Sequence, residues 1–529
     1  MRSRLNCWGP SSENGNAPPS APPVTNNQQP SSRRDYDSAG PHSKGMFFKS
    51  TRWNSIGAGS VQFVRFGVSL ILFNSLGDEV VGVMAMALVV TGFLDWFKDF
   101  GTGQAVVQAE ELKPGFLSTV FYTNMLLAVG LSGLTALGAR AFAWAFEEPA
   151  LIELLPWLGL SFVITAFGLV QRNLFVRQMR FDRLALANLL NAAVYGVVAI
   201  SMASQGFGIW SLIVGTLSGY IASNLSLWIG SSWKPRTVFH TEHLKQITPF
   251  CLGMLGSNMS NFAFQNVDRF VVGRFLGSGP LGQYALALRL INFPVRAISR
   301  MLLSVMLPTF SRLQDDMEEF RAKFLRACSG ITLVVAPMMA GLAATAPALV
   351  EGFMNDEWLP AIPVIVIMTP LGLIYSVAGL SSTIYVSMGR TTELFRWSLI
   401  FGVIVTLGYC AGLPWGVFGV ATTATLTHLG LSYLYFAVPF RMINLRVSAL
   451  VACVYPLILA GSLMGFLVYL LRLALESSGV GPRVVVLLCV PAGLLLYGLV
   501  IWRVRPPALN DLVQLLGGKF RKLGLKASS

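Results

Sequence analysis

Residues 266–290 read NVDRFVVGRFLGSGPLGQYALALRL, and this stretch decides how the chain is organised. Most of it is apolar enough to lie in lipid, yet it carries Asp268, Arg269, Arg274 and Arg289. Its middle, LGSGPLG, is rich in glycine and contains proline, which is typical of a tight turn. The stretch therefore predicts two antiparallel helices joined at this turn. The hairpin is apolar enough to cross a membrane, yet it carries ionisable side chains.

The composition indicates an integral membrane protein. Hydrophobic residues make up 54% of the 529 positions and charged residues only 12%, whereas a soluble globular chain has roughly 25% charged residues. The apolar runs are about 20 residues long, which suits helices that cross a bilayer. The alternating pattern of about ten residues that marks a membrane β-barrel is missing. We therefore expect an all-α membrane protein.

The apolar runs predict about fourteen transmembrane helices. Their approximate limits are 55–76, 80–100, 116–138, 151–171, 184–204, 208–230, 248–275, 280–305, 326–348, 359–385, 394–413, 416–439, 448–471 and 483–503. We expect five regions, which are a disordered cytoplasmic tail over 1–48, a six-helix lobe over 49–238, a second over 239–446, two further helices over 447–504 and a basic cytoplasmic tail over 505–529.

The positions of lysine and arginine set the predicted orientation. If the N-terminus is inside, nearly all these residues fall on the inner side, and the predicted outer loops hold only Arg140, Arg472 and Arg483. Cytoplasmic loops of membrane proteins carry such an excess. Both termini are therefore predicted to be cytoplasmic. The formal net charge of +14 is attributed to these loops and not to nucleic-acid binding.

An internal repeat is visible at a constant offset. The sequence LGDEVVGVMAMAL at 76–88 matches LGSGPLGQYALAL at 276–288 in six leucine, glycine and alanine positions. Both copies fall on a predicted outer turn and the helix after it. Parallel repeats of six helices place a substrate path between two bundles, near the middle of the bilayer. The alternative is that this pattern merely makes a good hairpin.

Arginines inside the predicted helices are the main functional candidates, because ionisable groups in a membrane are costly and usually face a cavity or a partner. Arg65 lies near the middle of the first helix and Arg269 in the outer half of the seventh. The eighth helix carries Arg289, Arg296 and Arg300. At about 100° per residue, their spacings of seven and eleven residues place all three on one face. The spacing therefore predicts a cationic stripe.

A polar stripe on the seventh helix accompanies the arginines. Its members are Asn258, Asn261, Gln265 and Asp268. Arginine suits phosphate because its planar fork is always charged, and amides suit sugar hydroxyls because they both donate and accept. The two stripes predict a cavity for an anionic, sugar-bearing substrate. The alternatives are that Arg300 reaches the inner interface and that Asp268 neutralises a neighbouring arginine. Arg274 is expected at the outer surface.

Several kinds of chemistry have no sequence signal. The chain has no GxxxxGK[ST] motif for ATP hydrolysis. Its six cysteines are dispersed, which argues against a disulfide framework or a metal site. His428 is interpreted as a packed histidine of the twelfth helix rather than a proton carrier. No catalytic residue, cofactor or metal ion is expected, and the protein is not expected to be an enzyme.

Several segments resemble one family of bacterial transporters. They are FKDFGTGQAVVQ at 97–108, GFGIWSLIVG at 206–215, residues 248–298 including the stretch quoted first, VMLPTFSRLQDD at 305–316, NDEWLPAIPVI at 355–365 and MGRT at 388–391. Between about residues 50 and 440 the chain resembles the Wzx-type polysaccharide-unit flippases of the multidrug/oligosaccharidyl-lipid/polysaccharide exporter (MOP) superfamily.

The resemblance implies a V-shaped bundle of two six-helix lobes plus two helices, as in multidrug (MATE) exporters. It implies that an undecaprenyl-pyrophosphate-linked oligosaccharide is moved across the bacterial inner membrane by alternating access, for exopolysaccharide, lipopolysaccharide or capsule synthesis. It also implies a cationic lumen, for which Arg65, Arg289 and Arg296 are the candidates. The expected partners are this lipid-linked oligosaccharide, membrane lipids, a polysaccharide polymerase and chain-length or export proteins, but not nucleic acid.

Three other functions remain open from the sequence. A lipid II-type flippase would share the fold and the charge pattern. A cation-coupled drug exporter of the same superfamily would have a buried acidic site as its main feature, whereas the charge here is mostly basic. A membrane polysaccharide polymerase or ligase would carry a large periplasmic loop, and the predicted outer loops are short.

Overall fold

The computed structural model describes residues 44–99, 102–109, 112, 115–240, 242, 265–314 and 316–504. Within these ranges the chain is helical and has no β-strand. The helices are α1 Lys44–Asp99, α2 Thr102–Gln108, α3 Phe116–Phe146, α4 Leu151–Phe167, α5 Leu169–Arg177, α6 Phe181–Ser204, α7 Trp210–Gly230, α8 over 265–276, α9 Ser278–Arg312, α10 Met317–Phe353, α11 Ala361–Ser387, α12 Thr391–Gly412, α13 Gly416–Met442, α14 Val447–Ser477 and α15 Pro482–Val504.

The described helices confirm a multi-pass membrane protein of the all-α class. In the ranges given above, nine helical stretches are long and apolar enough to cross a membrane, or ten if α4 and α5, which meet at 42°, are one span. Two of the nine contain a break, at Gly77 in Val61–Lys98 and at the short 3-10 turn Leu413–Trp415 in Thr391–Met442. The count of fourteen helices in two lobes remains a prediction, and the predicted tail segments 1–43 and 505–529 lie outside the described residues.

The outer surface of the bundle is apolar. Leu137 is 86% exposed, Ile229 85% and Leu495 76%. A soluble monomer does not present so many large apolar side chains to water. Their exposure is expected where the helices face lipid, which has no water to order around them.

The two copies of the repeat bend at the same place. Gly77 has φ 78° and interrupts α1, and Gly277 has φ 89° and separates α8 from α9. Residues with a side chain rarely adopt a positive φ of this kind, and glycine adopts it without penalty. The helices are therefore broken at matched glycines, where the LG pair in each copy predicts a turn.

The helices that follow these turns cross at backbone contact. A Cβ atom added at Gly82 of α1 would overlap the carbonyl oxygen of Ser278, and one added at Gly282 of α9 would overlap that of Asp78. Asp78 and Ser278 are themselves matched by the repeat offset. The contact is thus self-complementary, as in a two-fold symmetric interface, because each copy places its glycine against the same position of the other copy.

Polar and aromatic contacts surround this crossing. Gln283 donates from Nε2 to Asp78 Oδ2 at 2.8 Å. Asn355 donates to the carbonyl oxygen of Asn74 at 2.6 Å. Trp358, which is fully buried, donates its indole N–H to the carbonyl oxygen of Phe73 at 3.1 Å and stacks on the Phe73 ring at 5.5 Å. These bonds join α1 to α9 and to the segment before α11 at the predicted outer end.

Small residues also bring α14 against α10. A Cβ atom at Gly461 would lie 3.1 Å from the backbone of Ala336, and one at Gly465 would lie 2.9 Å from the Ala340 side chain. Membrane helices associate closely where such residues face each other, because packing and hydrogen bonds replace the hydrophobic effect there. The Tyr497 hydroxyl of α15 donates to the carbonyl oxygen of Leu333 at 2.8 Å and holds α15 on α10 as well.

We expect Gly82→Ala and Gly282→Ala each to destabilise the protein by about 1–3 kcal/mol, because the added methyl group overlaps backbone that has no room to move. Gly67→Ala is the matched control, since a Cβ atom there meets nothing within 4 Å. Thermal unfolding of the purified variants in detergent measures the effect. Equal melting temperatures for all three variants would contradict the assigned crossing.

Trp358→Ala is expected to cost about 3–5 kcal/mol, because it empties a fully buried site and removes a stacked ring. Trp358→Phe keeps the stack and loses only the indole hydrogen bond, so its cost should be smaller. Trp415→Ala is the control, since Trp415 is 69% exposed. The same unfolding measurement ranks the stability losses of the three variants. If Trp415→Ala lost as much stability as Trp358→Ala, the predicted ranking would be wrong.

Candidate functional site

Helices from both copies of the repeat enclose a cavity of about 470 Å³. Its wall contains Arg65 from α1, Arg269 from α8 and Arg289 from α9, and we call it the arginine cavity. The named lining residues include no aspartate or glutamate. The part of the wall that the structure describes therefore carries three positive charges and no negative one.

Hydrogen bonds to neutral groups hold these guanidinium groups in place. Arg65 donates from Nη2 to Asn191 Oδ1 at 2.7 Å. Arg289 donates from Nε to Ser69 Oγ and from Nη2 to the carbonyl oxygen of Arg65, both at 3.1 Å. Arg269 donates to Asn266 Oδ1 at 2.7 Å. All these bonds end on neutral oxygens, which orient the guanidinium groups, while Arg269 also interacts electrostatically with the adjacent Asp268.

The remainder of the wall mixes polar residues with matched pairs from the repeat. Ala85 and Ala285 both line the cavity, and so do Leu88 and Leu288. The uncharged polar members of the wall are Gln62, Ser69, Asn191, Tyr195, Thr216, Tyr220 and Asn292. The cavity therefore lies where the two repeat copies face each other, just beyond the crossing at Gly82 and Gly282.

A second cavity of about 540 Å³ adjoins the first. Arg269, Leu288 and Asn292 belong to both walls. The rest of its wall comes mainly from α11, α12 and α13 and includes six aromatic residues. These residues define what we call the aromatic cavity: Tyr375, Tyr385, Trp397, Phe401, Tyr409 and Tyr435. Gln265 and Asp268 also lie on this wall.

The candidate residues thus divide between two cavities instead of facing one. Arg65 and Arg289 line the arginine cavity, Gln265 and Asp268 line the aromatic cavity, and Arg269 lines both. The reason is that α8 lies between the two spaces, so that successive residues turn toward different ones. Asn258 and Asn261 lie outside the described residues, as do the side chains of Arg296 and Arg300.

Three charged residues occupy the places that the local sequence suggests. Arg274 forms an ion pair with Glu147 at 2.6 Å, away from both cavities. Lys98 pairs with Asp95 at 2.5 Å within one turn of α1. Asp268 accepts a hydrogen bond from the Tyr284 hydroxyl at 3.2 Å. No arginine ion pair within 4 Å of Asp268 is found among the described residues, but Asp268 interacts electrostatically with the adjacent Arg269, so the neutralisation of a neighbouring arginine stays a prediction.

Several residues of both walls were missed by the sequence reasoning. Asn191 and Tyr195 lie four residues apart in the apolar run LLNAAVYG, which puts them on one face of α6. That spacing is a usable signal. On α11 and α13, Tyr375 and His428 meet with 3.1 Å between the Tyr375 hydroxyl and His428 Nε2. His428 is buried, as expected, but it also lines the aromatic cavity.

Among the described residues, no group of three histidine, cysteine, aspartate or glutamate side chains could hold a metal ion. The arginine cavity offers guanidinium groups, and the aromatic cavity offers ring faces, hydroxyls and a carboxylate.

The family model described as polysaccharide biosynthesis protein matches residues 76–363, just over half of the chain. The chain belongs to this family. The match covers the crossing at Gly82 and Gly282 and includes Arg269 and Arg289, while Arg65 lies before it. The resemblance to the polysaccharide-unit transporters drawn from the sequence is thus confirmed.

Individual relatives carry names from the same field. The succinoglycan biosynthesis transport protein ExoT of Rhizobium meliloti (strain 1021) is 26% identical over 68% of this chain and 72% of its own length. The teichuronic acid biosynthesis protein TuaB of Bacillus subtilis (strain 168) is 22% identical over 89% of this chain and 98% of its own length. The lipopolysaccharide biosynthesis protein WzxC of Escherichia coli (strain K12) is 23% identical over 68% and 73%.

Solved structures share the fold. The lipid II flippase MurJ in an inward closed conformation superposes with a TM-score of 0.70 at 18% identity, over 84% of this chain and 97% of that one. A multidrug resistance MATE family transporter of the MOP superfamily, inward-facing, gives a TM-score of 0.63 at 14% identity, over 74% and 98%. At these identities the likeness shows that the chain has the fold of this superfamily.

Proposed function

We propose that the protein is a flippase that moves an oligosaccharide linked to a polyprenyl pyrophosphate across the bacterial inner membrane, for the synthesis of a surface polysaccharide. The observation that carries the proposal is the arginine cavity, in which Arg65, Arg269 and Arg289 meet and no carboxylate lines the described wall. The names of the relatives support a polysaccharide unit as cargo.

The electrostatics of the cavity favour an anion. Each arginine placed inside a membrane costs about 2.5–3.5 kcal/mol on the scale of cellular membrane insertion. Like charges in one cavity also repel each other, and low-dielectric surroundings strengthen that repulsion. A pyrophosphate offsets both terms, because its oxygens accept paired hydrogen bonds from planar guanidinium groups. A cationic or neutral drug would offset neither the cost of placing the arginines in the membrane nor the repulsion between them.

The geometry also suits alternating access. The crossing of α1 and α9 at Gly82 and Gly282 closes the predicted outer end, beyond the arginine cavity. Release of the cargo on the outer side requires this contact, and the bonds from Gln283 and Asn355 around it, to separate. Because these bonds are few and polar, they can exchange for bonds to water when the two sides part.

We expect Arg65→Ala and Arg289→Ala to weaken binding of undecaprenyl pyrophosphate, because each removes a guanidinium group from the cavity. A hydrogen bond to a charged group contributes about 1.5–3 kcal/mol, so the dissociation constant should rise at least about tenfold. Arg274→Ala is the matched control, since Arg274 lies in the same predicted hairpin but pairs with Glu147. Titration of the purified protein in detergent gives the constants.

The same variants test transport in cells. At equal protein level, Arg65→Ala and Arg289→Ala should reduce cell-surface polysaccharide in a strain that depends on this gene, and Arg274→Ala should not. If the double variant of Arg65 and Arg289 bound the pyrophosphate like the native protein and exported normally, the proposed function would be wrong.

Asn191→Asp should weaken pyrophosphate binding by placing a carboxylate beside Arg65, where the amide oxygen now lies 2.7 Å from the guanidinium nitrogen. An ion pair there cancels one of the three charges and adds a negative group that repels phosphate. Asn191→Leu, similar in size and uncharged, is the control at the same position. An aspartate variant that binds as tightly as the leucine variant would show that the charge of Arg65 does not matter.

A further inference from the structure

The aromatic cavity has a wall of aromatic side chains to which the proposed binding of pyrophosphate in the arginine cavity assigns no role. Its aromatic side chains come from three helices, α11, α12 and α13. Tyr375, Trp397 and Tyr435 are only half-buried, so that part of each ring faces open space. The Phe401 and Tyr435 rings meet edge to face with centroids 4.7 Å apart, and Trp397 lies 5.5 Å from Phe401. The volume of about 540 Å³ is that of a small-molecule site.

Three buried polar side chains on this wall have spare hydrogen-bonding capacity within the described residues. Ser381 Oγ has no partner, and Asp268 Oδ1 and His428 Nδ1 have none at normal hydrogen-bond geometry, although backbone groups of Arg269 and Ala424 lie beside them. Each of these side chains is more than nine-tenths buried. A buried polar group left unpaired costs about 1–3 kcal/mol, so the wall is suited to a ligand that supplies partners.

The chemistry of these atoms selects the ligand. A carboxylate oxygen only accepts hydrogen bonds, a serine hydroxyl both donates and accepts, and the histidine nitrogen does one or the other according to its tautomer. An anion would meet both the carboxylate of Asp268 and the guanidinium of Arg269, so this wall offers it no net attraction. A hard cation would find one carboxylate together with the neutral oxygens of Gln265 and Asn292, and this occupant is an outcome of the test below. A neutral polyol satisfies all three, because every hydroxyl can donate and accept.

The ring faces complete the match. An aromatic face carries partial negative charge and attracts the polarised C–H groups on the flat side of a pyranose ring. Trp397 supplies the largest such surface here, and its partial exposure leaves one side accessible from the cavity. A sugar ring combines an apolar face with a rim of hydroxyls, which is the combination that this wall offers.

We propose that the aromatic cavity binds a neutral sugar ring of the cargo, next to the pyrophosphate in the arginine cavity. The proposal rests on the function proposed above. Arg269, Leu288 and Asn292 belong to both walls, so one continuous ligand can occupy both spaces. The sugar nearest the pyrophosphate is then stacked by Trp397 and hydrogen-bonded by Ser381 and Asp268.

Two kinds of probe test the proposal on the full-length purified protein. One is undecaprenyl pyrophosphate without sugar, and the other is a panel of the same lipid that carries a single glucose, galactose or N-acetylglucosamine. We expect the native protein to bind at least one glycosylated probe about tenfold more tightly than the bare lipid. Trp397→Ala and Ser381→Ala should remove this preference and leave the affinity for the bare lipid unchanged.

Two further variants serve as controls. Trp397→Phe keeps an aromatic face and should retain most of the preference, and Trp415→Ala removes an exposed tryptophan next to α12 and should change nothing. Arg289→Ala should weaken the bare and glycosylated probes equally, which separates failure of this proposal from failure of the proposed function. Melting temperatures of all variants confirm that they are folded.

The proposal is overturned if no glycosylated probe binds more tightly than the bare lipid, or if Trp397→Ala and Ser381→Ala keep the preference. It is also overturned if the cavity proves to be a cation site. In that case replacing choline chloride by sodium chloride would shift the affinity for bare and glycosylated probes alike, and Asp268→Asn would abolish the shift.

Discussion

The backbone contact between α1 and α9 is the constraint on which the site depends. Gly82 meets Ser278 and Gly282 meets Asp78, and neither contact has room for a side-chain atom. Along an α-helix, three and six residues correspond to about 4.5 and 9 Å. At those distances past the glycines, the matched alanines and leucines of the repeat line the arginine cavity. The crossing thus closes one end of a space that the larger side chains beyond it keep open.

The repeat duplicates this geometry but not the charge. At the offset of 200 residues, Arg269 corresponds to Ser69, Arg65 to Gln265 and Arg289 to Val89. The consequence is visible in the bonds that Arg289 makes, since it donates to Ser69 and to the backbone of Arg65 in the other copy. Arginines from both copies therefore converge on one cavity without facing a like charge at the equivalent place. The related backbone of the two repeat copies forms the cavity, and the arginines, which occupy positions where the copies differ, give the cavity its charge.

The sequence alone is informative where glycine or charge restricts the chain. The turns at Gly77 and Gly277, the limits of most helices and the placement of Arg65 and Arg289 follow from residue types that have few alternatives in a membrane. The division into two cavities does not follow. Tyr375 and Tyr409 lie in helices that are apolar on nearly all sides, and such helices carry no periodic signal for the face that turns inward. Only the arrangement of their side chains around the cavity shows that they form a wall.

The adjacent pair Asp268 and Arg269 gives the two cavities opposite character at their boundary. Arg269 belongs to both walls, whereas Asp268 belongs only to the aromatic one. A phosphate that strayed into the aromatic cavity would approach the carboxylate of Asp268, and like charges in a buried space repel strongly. A neutral sugar meets no such barrier and can donate to that carboxylate. If the proposed cargo has a charged link at one end and sugars at the other, this boundary would favour the orientation that keeps the phosphate away from Asp268.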